Sequence, residues 1–185
     1  MPHSYVSNLV HYIFSTKERF PFIDGKLESR LWPYIGGIAR ENGMRALAIG
    51  GTTDHVHTLL SLPATLSLAK AIQLIKGGSS KWIHDRFPKY RKFEWQEGYG
   101  AFSVSASQVR SVVSYINGQK EHHRKKTFEE EFLEFLEKHG VKYDLRVHLS
   151  VISAVRFADL SLVESSQTPP RCLAYIESLC YLLSL

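Results

Sequence analysis

Cysteine is nearly absent from this chain of 185 residues: it holds two, Cys172 and Cys180, both within the last 14 residues. A disulfide framework therefore does not hold the main body together, and a reducing, cytoplasmic setting is expected. Long uncharged apolar runs are missing too. None approaches the ~20 residues needed to cross a bilayer, so no membrane partner is expected. The opening stretch Met1-Pro2-His3-Ser4-Tyr5 lacks a charged region followed by an apolar one, the mark of a secretory signal. There is no glycine-rich loop of the kind that cradles a nucleotide cofactor, no internal repeat and no low-complexity stretch.

What is present is an ordinary globular composition with a basic lean. Hydrophobic residues make up 44% of the chain, enough for the core of one domain, or of one domain with an appendage. A formal net charge of +5 and a pI near 9.2 favour an anionic partner. The balance is uneven: residues 1–146 carry 21 Lys+Arg against 15 Asp+Glu, and residues 147–185 carry 2 against 3. This divides the chain into a domain over 1–146 that bears the chemistry and an extension over 147–185. The extension is apolar and Ser/Leu-rich, with Pro169-Pro170 in its middle and Leu173, Ile176, Leu179 and Leu183 at helical spacing.

Val6 to Phe14 is rich in β-branched and aromatic residues and predicts a strand. Leu27, Leu31, Ile35 and Ile38 predict a helix over 25–42, ended by Asn42-Gly43, which Pro33 should kink or delay. Arg45–Gly50 and His55–Leu62 read as the strands of a hairpin. A second long helix is expected over 65–86, with Leu68, Ile72, Ile75, Ser79 and Trp82 as its inner stripe and Gly77-Gly78 as an interruption. Phe93–Val104 predicts a fourth strand, bulged near Gly98 and Gly100. A helix over 106–124, capped by Ser105 or Ser107, packs through Val109, Val112, Val113 and Ile116. A short charged helix follows over 128–139, ended by Gly140. The order strand, helix, strand, strand, helix, strand is the α+β, ferredoxin-like (RRM-like) pattern: an antiparallel sheet with helices on one face, followed here by the helix over 106–124.

In the run Asp54-His55-Val56-His57, alternation puts both imidazoles on one strand face, with Cα atoms roughly 7 Å apart, close enough to share an ion. Imidazole suits Zn, Mn, Co or Ni and, with added oxygen ligands, Mg²⁺. Such a pair is more commonly mere packing, so its meaning depends on its company. That company is Tyr115 and Gln119, one turn apart on one helix face. A phenol, with a pKa near ~10, becomes a nucleophile when a metal or base assists it, and a carboxamide oxygen can serve as a third ligand. Asp54, alternating away from His55, reads as a turn or supporting group. Lys70, Lys76, Lys81 and Arg86 on the second helix, and Lys120, His122, His123 and Arg124 after the tyrosine, form candidate DNA-contacting surfaces or plain solvated faces. Tyr90, Phe93, Trp95 and Tyr99 read first as core aromatics and second as platforms for unpaired bases.

The runs Thr16-Lys17-x-Arg19-x-Pro21, Asp54-His55-Val56-His57-x-Leu59, Trp95-Gln96-x-Gly98-Tyr99 and Tyr115-Ile116-x-x-Gln119-x-x-His122-His123 occur in that order. Together they resemble the single-tyrosine HUH transposases of bacterial insertion sequences, including the REP-associated tyrosine transposases. The resemblance covers about residues 5–144. It implies a homodimer that binds hairpins in single-stranded DNA, cuts one strand, and keeps the 5′ phosphate on a tyrosine while a 3′-OH is freed. It implies Tyr115 as the nucleophile, and His55, His57 and Gln119 as ligands of a divalent ion, Mg²⁺ or Mn²⁺. In several relatives the tyrosine helix comes from the other subunit. The family often has proline before Asp-His-x-His, where this chain has Thr53.

Two other readings stay open at the level of sequence. One is a hairpin DNA- or RNA-binding protein of the same fold that does not cut. The other is a metalloenzyme that uses His55 and His57 on a small substrate. The intact set of Tyr115, Gln119, His55 and His57 weighs against the first, and the basic main body weighs against the second.

Overall fold

Period-two alternation sorts β1 (Leu9–Ser15) into two faces. Val10, Tyr12 and Phe14 turn into the main core, while His11, Ile13 and Ser15 turn the other way. The same split holds in β3 (His55–Ser61): Val56 and Leu60 join the main core, and His55, His57 and Leu59 face the opposite side. β1 and β3 pair antiparallel, with Ile13 across from His57 and His11 across from Leu59. β2 (Arg45–Gly51) joins the free edge of β3 and β4 (Gly100–Ser103) that of β1, so the sheet runs β2-β3-β1-β4, antiparallel throughout. This is the ferredoxin-like order that the succession of elements predicts. A bulge between Ala46 and Ala48 adds one residue to β2 and keeps both Ala46 and Ile49 against the main core. The structure, a computed structural model, describes residues 5–124 and 127–142; the expected extension over 147–185 and its boundary lie outside the described residues.

α1 (Gly25–Glu41) and α2 (Leu68–Arg86) cover the main-core face. α1 starts where the Asp24 carboxylate accepts the N–H groups of Lys26 and Leu27 at 3.1 and 2.9 Å, a cap that contributes about 1 kcal/mol. Leu27, Leu31, Ile35 and Ile38 are buried as their spacing predicts, but the helix runs on through Pro33. Pro33 and Ser29, whose carbonyl loses its helical partner, are both exposed, so that carbonyl can bond water instead. In α2 the inner stripe is shifted from the expectation: Ala71, Ile72, Ile75, Ser79 and Ile83 are buried, while Leu68, the first helical residue, is 43% exposed. Gly77-Gly78 does not interrupt the helix. Ile38 Cδ1 comes within 3.0 Å of the point where a Gly78 Cβ would sit, so α1 nests against the bare backbone of α2.

The expected strand over 93–104 shrinks to the four residues of β4, plus an isolated bridge between Trp95 and Thr16. Gly98, at φ +77°, turns the chain between them. Tyr90 and Phe93 are buried, and Trp95 donates its Nε1–H to Ser79 Oγ at 3.0 Å, so these aromatics serve the core.

The other face carries α3 (Val109–Asn117), α4 (Gln119–His122) and α5 (Phe128–Lys138). The continuous helix expected over 106–124 is broken at Gly118, and Ser105 bonds Ser107 Oγ at 3.0 Å rather than capping. α3 packs Ile116, Val109, Val112 and Val113 on Ala48 and Leu59. α5 opens with a capping box, Thr127 with Glu130, and packs Phe132, Phe135 and Leu136 on Ile13 and Phe102. Among the described residues no helix is long and apolar enough to cross a membrane. Between the two apolar patches runs a polar seam, into which His11, His55 and His57 project.

Candidate active site

Each histidine of the pair is held by its Nδ1. His57 Nδ1 lies 3.0 Å from His11 Nε2. Burial first, and the charge of His139 second, push His11 down to about 3, so its ring is neutral. Burial, reinforced by His11, His55, His123 and His122, holds His57 well below its usual value as well. The two rings are therefore neutral and joined by a single N–H···N bond, which leaves the His57 Nε2 edge facing the seam. His55 Nδ1 lies 2.7 Å from Asp54 Oδ1 and 2.9 Å from Thr52 Oγ1. Burial acts to raise the Asp54 carboxyl, but the bond from His55 and the charges of His55 and Arg19 prevail and hold it below the usual range. With Asp54 ionised, His55 Nδ1 donates to it and the His55 Nε2 edge is left facing the seam. Asp54 does not alternate away as expected: it precedes the strand, so its side chain folds back on His55 and orients that ring. Both Nε2 atoms are buried and lack a hydrogen-bond partner.

Tyr115 arrives through a close contact between helix and sheet. Gly50 pairs with His57 across β2 and β3, and a Cβ on Gly50 would stand 2.5 Å from the carbonyl oxygen of Ile116. α3 thus rests on bare strand backbone beside His57. One residue earlier, the Tyr115 ring centre lies 5.7 Å from that of His57 and 6.1 Å from that of His11, edge-on to both. Its hydroxyl is buried without a hydrogen-bond partner. This arrangement is made within one chain. A cleft of about 340 Å³ opens beside the phenol, lined by Ser103, Gln108, Ser111, His122 and Phe135 among others.

The break at Gly118 turns Gln119 into the seam, where it is buried; its Nε2 donates to Glu131 Oε1 at 3.2 Å, and its Oε1 has no partner. Glu131, on α5, went unnoticed in the sequence. Its Oε2 lies 3.6 Å from His57 Nε2 and 3.2 Å from His123 Nε2. Burial, then the charge of Glu134, raise Glu131 to about 8 against the pull of Arg19. His55, His57, His123 and Glu131 bring one ligand atom each within 4.8 Å of one another. Imidazole nitrogens, one carboxyl group and a nearby carboxamide oxygen form a donor set that fits a divalent cation. A signal for Glu131 was present, since it falls on the stripe Phe128, Phe132, Phe135, where an acid is out of place.

Arg19 ties α5 to the strand. Its guanidinium pairs with both Asp54 and Glu129 and lies 4.4 Å from the Phe128 ring centre. To reach them, Glu18 and Arg19 take left-handed φ values of 53° and 54°, at a cost of about 1–2 kcal/mol each. Thr16 Oγ1 donating to Phe20 O at 2.7 Å, and Glu18 N–H donating to Gln96 Oε1 at 2.9 Å, hold that turn.

The candidate DNA-contacting residues divide. Lys76 donates to the carbonyls of Gln96 and Gly98 at 2.5 and 2.9 Å and so tethers a loop. Lys120 pairs with Glu28 at 2.7 Å, Arg124 with Glu121 at 3.2 Å, and Lys70 with Gln73 at 3.1 Å. His122 and His123 lie beside Glu131. The His122 ring centre lies 5.3 Å from that of Tyr115, and its Nε2 lies 3.4 Å from Glu131 Oε1. Lys81 and Arg86 stay exposed on α2.

Similarity to known proteins places the chain among DNA-processing enzymes. The chain belongs to the IS200-like transposase family, described as "Transposase IS200 like", which matches residues 4–119. Transposases of the insertion sequence element IS200 from Salmonella typhimurium and Salmonella typhi are each 27% identical over 116 residues, covering 60% of this chain and 76% of theirs. The crystal structure of a protein described as a transposase from Deinococcus radiodurans superposes with a TM-score of 0.53 at 24% identity, over 64% of this chain and 96% of that one. A REP-associated tyrosine transposase bound to a REP hairpin superposes with a TM-score of 0.50 at 15% identity, over 66% and 73%. At those identities the two structures share the fold. DNA transposition of the insertion-sequence type follows from the family.

Proposed function

We propose that the chain is a metal-dependent, single-stranded DNA endonuclease and strand transferase that acts at hairpin-flanked sites through Tyr115. One observation carries this assignment: a buried phenol and two buried imidazole nitrogens, side by side, all lack hydrogen-bond partners. A buried polar group left unpaired costs about 1–3 kcal/mol, so three together call for a purpose beyond packing. His55, His57 and Gln119 would hold the divalent ion, Mg²⁺ or Mn²⁺, which would supply charge withdrawal at the scissile phosphodiester. The Tyr115 oxygen, giving up its proton, attacks phosphorus. The bond from phosphorus to the 3′ oxygen breaks, that oxygen takes up a proton and leaves as a free 3′-OH, and the 5′ phosphate stays esterified to Tyr115. Attack by a 3′-OH reverses the step and joins strands without external energy.

The hairpin substrate is supported by family membership and by the REP hairpin on the structural relative. Exposed Lys81 and Arg86 contact its phosphates. A homodimer presents two such sites to the two ends of one element. The domain over 1–146 carries this chemistry, with 147–185 as an extension.

The test is incubation of the full chain with a labelled single-stranded hairpin and Mn²⁺, followed by a denaturing gel. A covalent adduct is expected, and it should vanish in Tyr115→Phe, in His57→Ala and with chelator. Adduct persisting in Tyr115→Phe removes Tyr115 as the nucleophile. Chelator-insensitive hairpin binding without any cleavage favours the non-cutting reading.

A further inference from the structure

We propose that Glu131, on α5 and beyond the family-matched stretch 4–119, is a direct ligand of the divalent ion, making the site a two-histidine, one-carboxylate centre. This rests on the metal-dependent reading above and adds to it an anionic ligand from a helix outside the matched stretch.

Glu131 is 3% exposed. Its Oε1 accepts from Gln119, and its Oε2 has no hydrogen-bond donor although imidazole nitrogens stand 3.2 and 3.6 Å away. A carboxylate is not buried in a phenylalanine stripe for packing, because an apolar residue would fill that position at no desolvation cost. The nearest guanidinium does not neutralise it, since Arg19 pairs with Asp54 and Glu129. Facing Glu131 are instead the Nε2 atoms of His57 and His123, at 3.6 and 3.2 Å, with His55 in the same cluster. One ligand atom from each of these residues lies within 4.8 Å of the others, a spacing at which a single cation can bind all of them.

Charge points the same way. Two neutral imidazoles and a carboxamide leave a divalent ion wholly uncompensated inside a buried seam. One carboxylate removes half of that charge and supplies the oxygen donor that Mg²⁺ or Mn²⁺ prefers. Gln119 then has two tasks: its Nε2–H aims the carboxylate, and its Oε1 remains available to the ion. Arg19 sets the position of α5, because one guanidinium holds both Glu129 on that helix and Asp54, which orients His55.

The test uses the full chain with Mn²⁺ alone as probe, read by titration calorimetry and by thermal melts with and without Mn²⁺. Wild type should bind and should melt higher with Mn²⁺. Glu131→Gln keeps the shape and should weaken Mn²⁺ binding about tenfold or more and lose the metal-dependent rise. Its metal-free melting temperature should equal or exceed that of wild type, because a buried acid is gone. Infrared difference spectra of wild type, Mn²⁺-bound minus metal-free, should show carboxylate bands, and this reading does not depend on any variant folding. Glu131→Gln binding Mn²⁺ within twofold of wild type while His57→Ala does not, or the absence of carboxylate bands, overturns the role of Glu131 and leaves the histidine site standing. Failure of wild type to bind Mn²⁺ at all overturns the parent reading with it.

Discussion

Gly50→Ala probes how the tyrosine reaches the histidines, at a position that touches neither reacting group. The added Cβ would stand 2.5 Å from the Ile116 carbonyl oxygen and 3.1 Å from Ile116 Cγ2, whereas contacts under 3.0 Å essentially never occur and ordinary contact begins near 3.4 Å. The obstacle is helix backbone, so α3 must retreat by at least 0.5 Å and by 0.9 Å for an ordinary fit. Elsewhere a glycine with permissive backbone gains about 0.4–1 kcal/mol on becoming alanine, whereas overpacking of this kind costs about 1–3 kcal/mol. The net expectation is a loss of about 1–2 kcal/mol, or a melting temperature lower by several degrees at ~2–4 °C per kcal/mol for a chain of this size. Tyr115 moves with α3, and a displacement near 1 Å at a reacting group costs up to about 10²-fold in rate. Covalent-adduct formation should therefore fall about 10- to 100-fold, with the adduct still on Tyr115. A variant as stable as wild type would refute the close contact. A destabilised variant with undiminished adduct formation would refute the claim that this contact positions the nucleophile.

Tyr115→Phe should abolish the adduct while leaving the melting temperature unchanged or higher, since it removes a buried hydroxyl that has no partner; a large drop in stability would contradict that burial. In Asp24→Asn the helix cap is kept but the charge is lost. Bonds from Tyr90, the Leu27 N–H and Lys89 hold the Asp24 carboxyl below its usual value, so its charge-dependent stabilisation is complete above pH ~4 and fades as pH falls through the lowered value. The melting-temperature gap between wild type and Asp24→Asn should accordingly shrink below pH ~4, and a gap constant from pH 7 to 2 would rule out this linkage. Lys81→Ala and Arg86→Ala should each lower the salt slope of hairpin binding by about one. Lys76→Ala should instead lower the melting temperature and leave that slope alone, because its ammonium ties the carbonyls of Gln96 and Gly98; the reverse pattern would restore it to the DNA surface.

The sheet was legible because its signal is local. Alternation in Val10–Phe14 and in His55–Leu60 marks both faces, and the element order admits few topologies. The helix over 25–42 was legible down to its buried residues, because four apolar positions at helical spacing leave one way to face a core. The fourth strand was overextended, because the aromatics of 93–99 suit a strand and equally suit a loop packed under α2, and only the anchoring of Trp95 on Ser79 distinguishes them. Lys76 looked like a surface cation because a sequence shows its charge and hides the carbonyls that receive it.

By itself the chain determined that two imidazoles share a strand face, that a phenol and a carboxamide lie four residues apart, and that the family is that of the IS200-like transposases. Those facts depend on neighbours in sequence and on periods of two and 3.6 residues. The tertiary structure decided that His11 orients His57, that the break at Gly118 turns Gln119 inward, that bare Gly50 brings Tyr115 to the histidines, and that Glu131 enters their midst from α5. Each of these contacts joins residues brought together by strand pairing and helix docking, so no local period announces it.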